Sequence, residues 1–103
     1  MSKAFVYTEI QTSVPFDHVP WPHVNQSIQA QPGFLGKTWL SGHGNQSIGG
    51  LYEFDTVENA KRFALEFFPE RAKEMGAAFT TRVFDGDVTE AASRAMNSAH
   101  YRQ

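Results

Sequence analysis

Apolar and polar positions alternate over residues 3–12, with Phe5 and Tyr7 on one side and Val6, Thr8 and Ile10 on the other. Both sides offer packing residues, which predicts a strand covered on two faces. Ser13-Val14-Pro15-Phe16-Asp17 breaks the run, and the period then changes. Trp21, Val24 and Ile28 fall at i, i+3 and i+7, a short helix with Pro22 in its first turn. Its body is Asn, Gln and Ser, middling helix formers, so packing must hold it. Gln31-Pro32-Gly33-Phe34 reads as a tight turn, because proline sets φ at the second position and glycine accepts a positive φ at the third. Strands follow over residues 34–40 and 49–54, joined by the polar, glycine-rich residues 41–46. Gly49-Gly50 at the head of the returning strand predicts a bulge or a close backbone approach.

The strongest helical pattern begins at Asp55 or Thr56, where Asp55 and Glu58 have capping-box spacing. Val57, Ala60, Phe63, Ala64, Phe67 and Phe68 form a wide apolar stripe. Pro69 removes a backbone donor and crowds the preceding turn, which predicts a kink or a restart before Gly76 ends the helix. A fourth strand is expected over residues 77–85. A last helix is expected over residues 88–99, with Val88, Ala91, Ala92, Ala95, Met96 and Ala99 on one face. The order is strand, helix, strand, strand, helix, strand, then a C-terminal helix. That is the ferredoxin-like α+β arrangement, βαββαβ with a four-stranded antiparallel sheet. One domain is expected over residues 1–103, with its core in 1–87. Two helices cover only one face of such a sheet, yet every strand carries apolar residues on both: Val6 against Tyr7, Leu35 against Phe34, Leu51 against Tyr52, Val83 against Phe84. A second copy laid sheet on sheet about a two-fold axis is the simplest cover, so a homodimer is expected.

Composition narrows the partners. The chain has 103 residues, 41% of them hydrophobic, with 9 Lys and Arg against 11 Asp and Glu. The basic residues are scattered, which argues against nucleic acid and anionic membrane surfaces. There is no cysteine, so no disulfide, thiolate metal site or cysteine nucleophile exists. No apolar run approaches the ~18 residues of a membrane span, and the first residues show no signal-peptide core. A cytoplasmic protein is the expectation.

The run Ile28-Gln29-Ala30-Gln31-Pro32-Gly33-Phe34-Leu35-Gly36-Lys37-Thr38-Trp39 resembles the signature of the YdhR-type monooxygenases. So do Gly49-Gly50-Leu51-Tyr52-Glu53-Phe54 and, later, Arg82-Val83-Phe84-Asp85. That family is similar in fold to the antibiotic-biosynthesis monooxygenases, the dimeric α/β barrels. Some of those relatives oxygenate aromatic compounds without metal or flavin. The resemblance implies a homodimer with a pocket between helices and sheet in each subunit. Gly36 departs from the pattern, standing where a bulky aromatic is expected, and so enlarges or reshapes the space nearby. Residues 19–23 are also richer in proline and aromatics than the usual first helix.

In such a pocket Tyr7, Trp21, Trp39, Tyr52, Phe54, Phe67 and Phe68 are the candidate lining for an apolar or aromatic small molecule, although most buried aromatics only fill core volume. By similarity to related barrels, the face shared by Tyr52 and Phe54 looks toward the helices. Cofactor-free oxygenation, with molecular oxygen as co-substrate, needs an electron-rich anion, a base to form it and donors to hold it. His23 and Glu9 are the candidate bases; Arg82, Tyr52 and the Trp39 indole are the candidate donors. The four histidines show no metal-ligand spacing, and residues 56–75 hold no histidine of the kind a haem-degrading relative is expected to carry there. The expected function is a cofactor-independent monooxygenase acting on a phenolic or other aromatic substrate. Two alternatives stand beside it: a non-oxidative isomerase, lyase or dehydratase, and a binding protein without chemistry.

Overall fold

The structure, a computed structural model, describes residues 2–102. Met1 and Gln103, the two ends of the expected domain, lie outside the described residues. Four strands, β1 (Ala4–Gln11), β2 (Phe34–Ser41), β3 (Ser47–Phe54) and β4 (Phe79–Asp85), form one antiparallel sheet in the order β2-β3-β1-β4. This is the expected ferredoxin-like α+β order. Helix α1 (Trp21–Gln29) follows β1 through a 3₁₀ turn, Phe16–His18, and a long helical segment joins β3 to β4. That segment consists of α2 (Val57–Arg62), a π-helical turn (Phe63–Phe67) and α3 (Phe68–Glu74).

The register separates the two faces of the sheet. Val6 lies opposite Tyr52 and Val83, and Ala4 opposite Phe54 and Asp85. Ala4, Val6, Tyr52 and Phe54 face the helices and join Ile28, Ala60, Phe63 and Ala64 in the core, with Val83 packed against it. Tyr7 lies opposite Leu51 and Arg82, on the other face. Glycine 33, at φ +76°, closes the predicted turn, and its carbonyl accepts the Asp55 N–H at 3.0 Å. That bond ties the start of β2 to the start of α2. The cap of α2 is Thr56, whose hydroxyl accepts the Asn59 N–H at 3.0 Å, while the Asp55 carboxylate takes the Asn59 side-chain amide.

The Gly49-Gly50 pair marks a close approach, and the bulge lies instead between Phe34 and Gly36. A Cβ at Gly49 would sit 1.9 Å from the Thr8 carbonyl oxygen, so β1 and β3 lie closer there than any side chain permits. The break expected at Pro69 takes the form of a restart: α3 begins at Phe68 with Pro69 in its first turn. The Phe68 N–H reaches back five residues to the Phe63 carbonyl, and the chain passes through one wide turn. This is a way of seating a proline that cannot supply the usual donor.

The last helix is much shorter than the expected 88–99. Helix α4 spans only Glu90–Ala95, buries no residue, and leaves Val88 and Met96 about four-fifths exposed (79% and 82%). Its alanine face packs on nothing within the chain, and Asn97 ends it at φ 60°. The chain then makes a 3₁₀ turn, Ala99–Tyr101, and docks on its own sheet. Tyr101 is buried, donates its hydroxyl proton to the Gly86 carbonyl at 2.7 Å and meets Phe5 edge-on. Nearby, His100 contacts Glu53, and Lys3 pairs with Glu53 at 3.3 Å. The open face of the sheet is therefore covered at one end and bare along the rest.

Candidate functional site

The helix-facing side of β1 and β3 loses bulk toward one end. Thr8 stands opposite Gly50, and Gly50 opposite Trp39. With no side chain at Gly50, the sheet leaves a hollow under the helices. Helix α1 borders it through His23, Val24, Ser27 and Ile28, and the π-turn and α3 through Phe63, Phe67, Phe68 and Arg71. The loop before α1 roofs it with Val14, His18 and Val19. The resulting cavity has a volume of about 480 Å³ and is lined mainly by apolar atoms. The wide π-turn matters to its shape. In a regular α-helix, Phe68 would lie well round the cylinder from Phe63. The wider turn brings it back, so that Phe67 stacks on Phe63 at 5.5 Å and Phe68 lies 6.3 Å from the same ring.

One charged side chain crosses the floor. Lys37 lies opposite Tyr52 in the register and runs over Gly50, where a Cβ would come within 2.6 Å of its Cε. Its Nζ stands 3.2 Å from the centre of the Trp39 ring and 4.7 Å from that of Tyr52. Among the described residues no carboxylate comes within ion-pair distance of it. Facing aromatic π-clouds contributes about 2 kcal/mol to a desolvated cation. Removing an ammonium from water costs several kcal/mol, so desolvation wins. It lowers the Lys37 pKa from 10.5 to about 7. Burial acts the other way on the Tyr52 phenol, raising it to about 12 against the opposing effect of a 3.1 Å hydrogen bond donated by Thr8. At neutral pH the floor thus holds an amine near half-deprotonation beside a protonated phenol. The Trp39 indole N–H is spent on the Asn25 side-chain oxygen at 3.0 Å, which fixes the ring as a wall.

Five residues expected from the sequence meet here: Trp39, Tyr52, Phe67 and Phe68 in the walls and His23 at the exposed mouth. The others lie elsewhere. Tyr7, Glu9 and Arg82 point to the opposite face, because β1 and β4 alternate and the cavity takes the Thr8 and Ile10 side. Phe54 is fully buried between Phe34 and Phe63 without reaching the cavity. Trp21, at the exposed start of α1, is 46% exposed. Lys37 was missed. The space expected at Gly36 exists as a smaller hollow of about 250 Å³ between α1 and β2, and a Cβ on Gly36 would meet nothing within 4 Å. Among the described residues no cluster of three metal-ligating side chains occurs, and no helix is long and apolar enough to cross a membrane.

No curated protein matches the chain. Among solved structures, a monooxygenase of Streptomyces coelicolor from the gene ActVA-Orf6, in complex with nanaomycin D, is similar over 82% of this chain and 87% of its own. The identity is 11% and the TM-score 0.57, a likeness of fold. A heme-degrading protein of Mycobacterium tuberculosis in its heme-free form shares 20% identity over 81% of this chain and 92% of its own, at a TM-score of 0.49. The family described as "Putative mono-oxygenase ydhR" matches residues 7–99. With nearly the whole fold inside that match, the chain belongs to the YdhR mono-oxygenase family.

Proposed function

We propose that the cavity oxygenates a phenolic or enolisable aromatic compound with molecular oxygen and no resident cofactor. The observation that carries this reading is the Lys37 amine, set between Trp39 and Tyr52 on the floor of an apolar chamber. A neutral amine takes the acidic proton of the substrate and becomes an ammonium beside the anion it has created. The protonated Tyr52 phenol donates to the same anion. The anion gives one electron to oxygen, and the resulting radical and superoxide combine to a hydroperoxide. Loss of water then turns a ring CH₂ into C=O, with one oxygen atom in the product and the other in water. The aromatic walls stack the ring and exclude solvent. Membership of the family and the fold shared with the nanaomycin-bound monooxygenase support the reading.

The test is oxygen uptake with an anthrone-type substrate by the wild-type chain and by Lys37→Met. Uptake with one oxygen atom in the product is expected, falling about a hundredfold or more in the variant. Turnover under nitrogen would favour the isomerase or lyase alternative, and binding without turnover in either atmosphere a carrier.

A further inference from the structure

The Lys37 amine has the placement of a nucleophile as well as of a base. It enters the cavity from the sheet floor, free of any carboxylate among the described residues, with its Nζ held 3.2 Å from the Trp39 ring centre. Gly50 leaves the slot in which its stem lies, so the amine is presented from a fixed direction. Phe67 and Phe68 stand in the walls, flat surfaces for a planar ligand, and the chamber has room for a fused-ring compound.

From this geometry we infer that the cavity captures aromatic aldehydes and ketones covalently, as an imine on Lys37. The nitrogen lone pair attacks the carbonyl carbon, a C–N bond forms, and the carbonyl oxygen takes up a proton to give a carbinolamine. The nitrogen then expels that hydroxyl, protonated, as water and becomes a C=N bond. No oxidant or reductant takes part. Tyr52 lines the same chamber as a proton donor for the departing hydroxyl, its oxygen already held by Thr8 at 3.1 Å. An apolar chamber that excludes water favours the condensed product. A carbonyl compound can reach this site as the product of the proposed oxygenation or from outside, but imine formation does not depend on oxygenation.

The experiment uses the full chain under nitrogen at pH 7 with 2-hydroxy-1-naphthaldehyde and sodium cyanoborohydride, read by intact mass and peptide mapping. The chain offers four lysines, Lys3, Lys37, Lys61 and Lys73, and the N-terminal amine. We expect reduction to lock the adduct on Lys37 at least about tenfold faster than on Lys61 or Lys73, which line neither hollow and hold no aromatic carbonyl beside their amines. Excess 2-naphthol, which fills the chamber without a carbonyl, is expected to suppress the Lys37 adduct and leave the others. Lys37→Arg keeps a long basic side chain without the nucleophilic amine and is expected to lose the adduct. The wild-type map decides the matter even if that variant does not fold. Equal labelling of all lysines, or a Lys37 adduct indifferent to 2-naphthol, overturns the inference. Because oxygen is excluded, failure here leaves the oxygenase reading standing, and failure of oxygen uptake leaves this one standing.

Discussion

Burial of the Lys37 side chain makes stability depend on pH. Its folded pKa, about 7, lies below the unfolded value of 10.5, so between these limits the unfolded chain binds more protons and stability rises with pH. Below about pH 7 the burial penalty is fully present, on the order of a few kcal/mol. Tyr52 has the opposite sign at the alkaline end: its folded value of about 12 lies above 10, so stability falls as pH rises beyond 10. Lys37→Met is therefore expected to raise the urea midpoint at pH 6 by an amount that shrinks steadily toward pH 10. An increment constant across that range would show that the amine is not desolvated. The importance of Lys37 could not be read from the sequence because of a parity change. Along an unbroken strand Phe34 and Lys37 take opposite faces, and a lysine on an edge strand is assigned to solvent. The bulge between Phe34 and Gly36 puts both on the helix side. Trp39 lies beyond the same bulge and shares the face of Lys37, but it and Tyr52 were expected as aromatic lining of the pocket that the resemblance implies, a reading that did not depend on strand parity.

Among the elements, the turn at Pro69 shows how a local fault becomes part of a cavity. The apolar stripe from Val57 to Phe68 was legible as a helix, but its fine geometry depends on how the chain accommodates the missing donor. A kink and a restart through a wide turn both answer the same local problem. The wide turn is the one that keeps Phe63 in the core while aiming Phe67 and Phe68 at the ligand space. Pro69→Ala restores the N–H, and relief of an interior proline contributes up to about 3 kcal/mol. The expected outcome is an unchanged or raised Tm together with about tenfold weaker binding of 2-naphthol, a loss of about 1.4 kcal/mol, as the segment relaxes to a regular helix and Phe68 rotates away. Unchanged binding would mean that the rings are held by their own packing, whatever the turn. Helix α4 makes the complementary point. Its alanine periodicity was legible, but periodicity alone does not supply a surface to pack on, and the element stops after six residues.

For the molecule as a whole, the two-sided apolar patterning of the strands is only half accounted for within one chain. The helices cover the Val6 and Tyr52 side. On the other side the C-terminal turn covers Phe5, while Tyr7 and Leu51 stay half-buried and Leu40 and Phe84 are 40% and 47% exposed. The homodimer expected from the sequence would place a second copy of the chain on this face. The bare strip carries its own complementary charges, Glu9 and Arg82, which a two-fold axis can set opposite each other. A stable interface takes about 800 Å² per partner, about an eighth of the chain's 6732 Å² surface. Glu9, Arg82 and Tyr7, expected in the catalytic site, thus become candidates for the interface. Sedimentation at micromolar concentration is expected to give twice the chain mass of 11.6 kDa. Leu51→Glu, which places a charge at the centre of the strip, is expected to give the single mass while 2-naphthol still binds, because the cavity lies on the far side of the sheet. A wild-type chain that sediments as one copy, or a Leu51→Glu chain that remains double, would remove the sheet face from the interface and leave the exposed alanine face of α4 as the surface to mutate next.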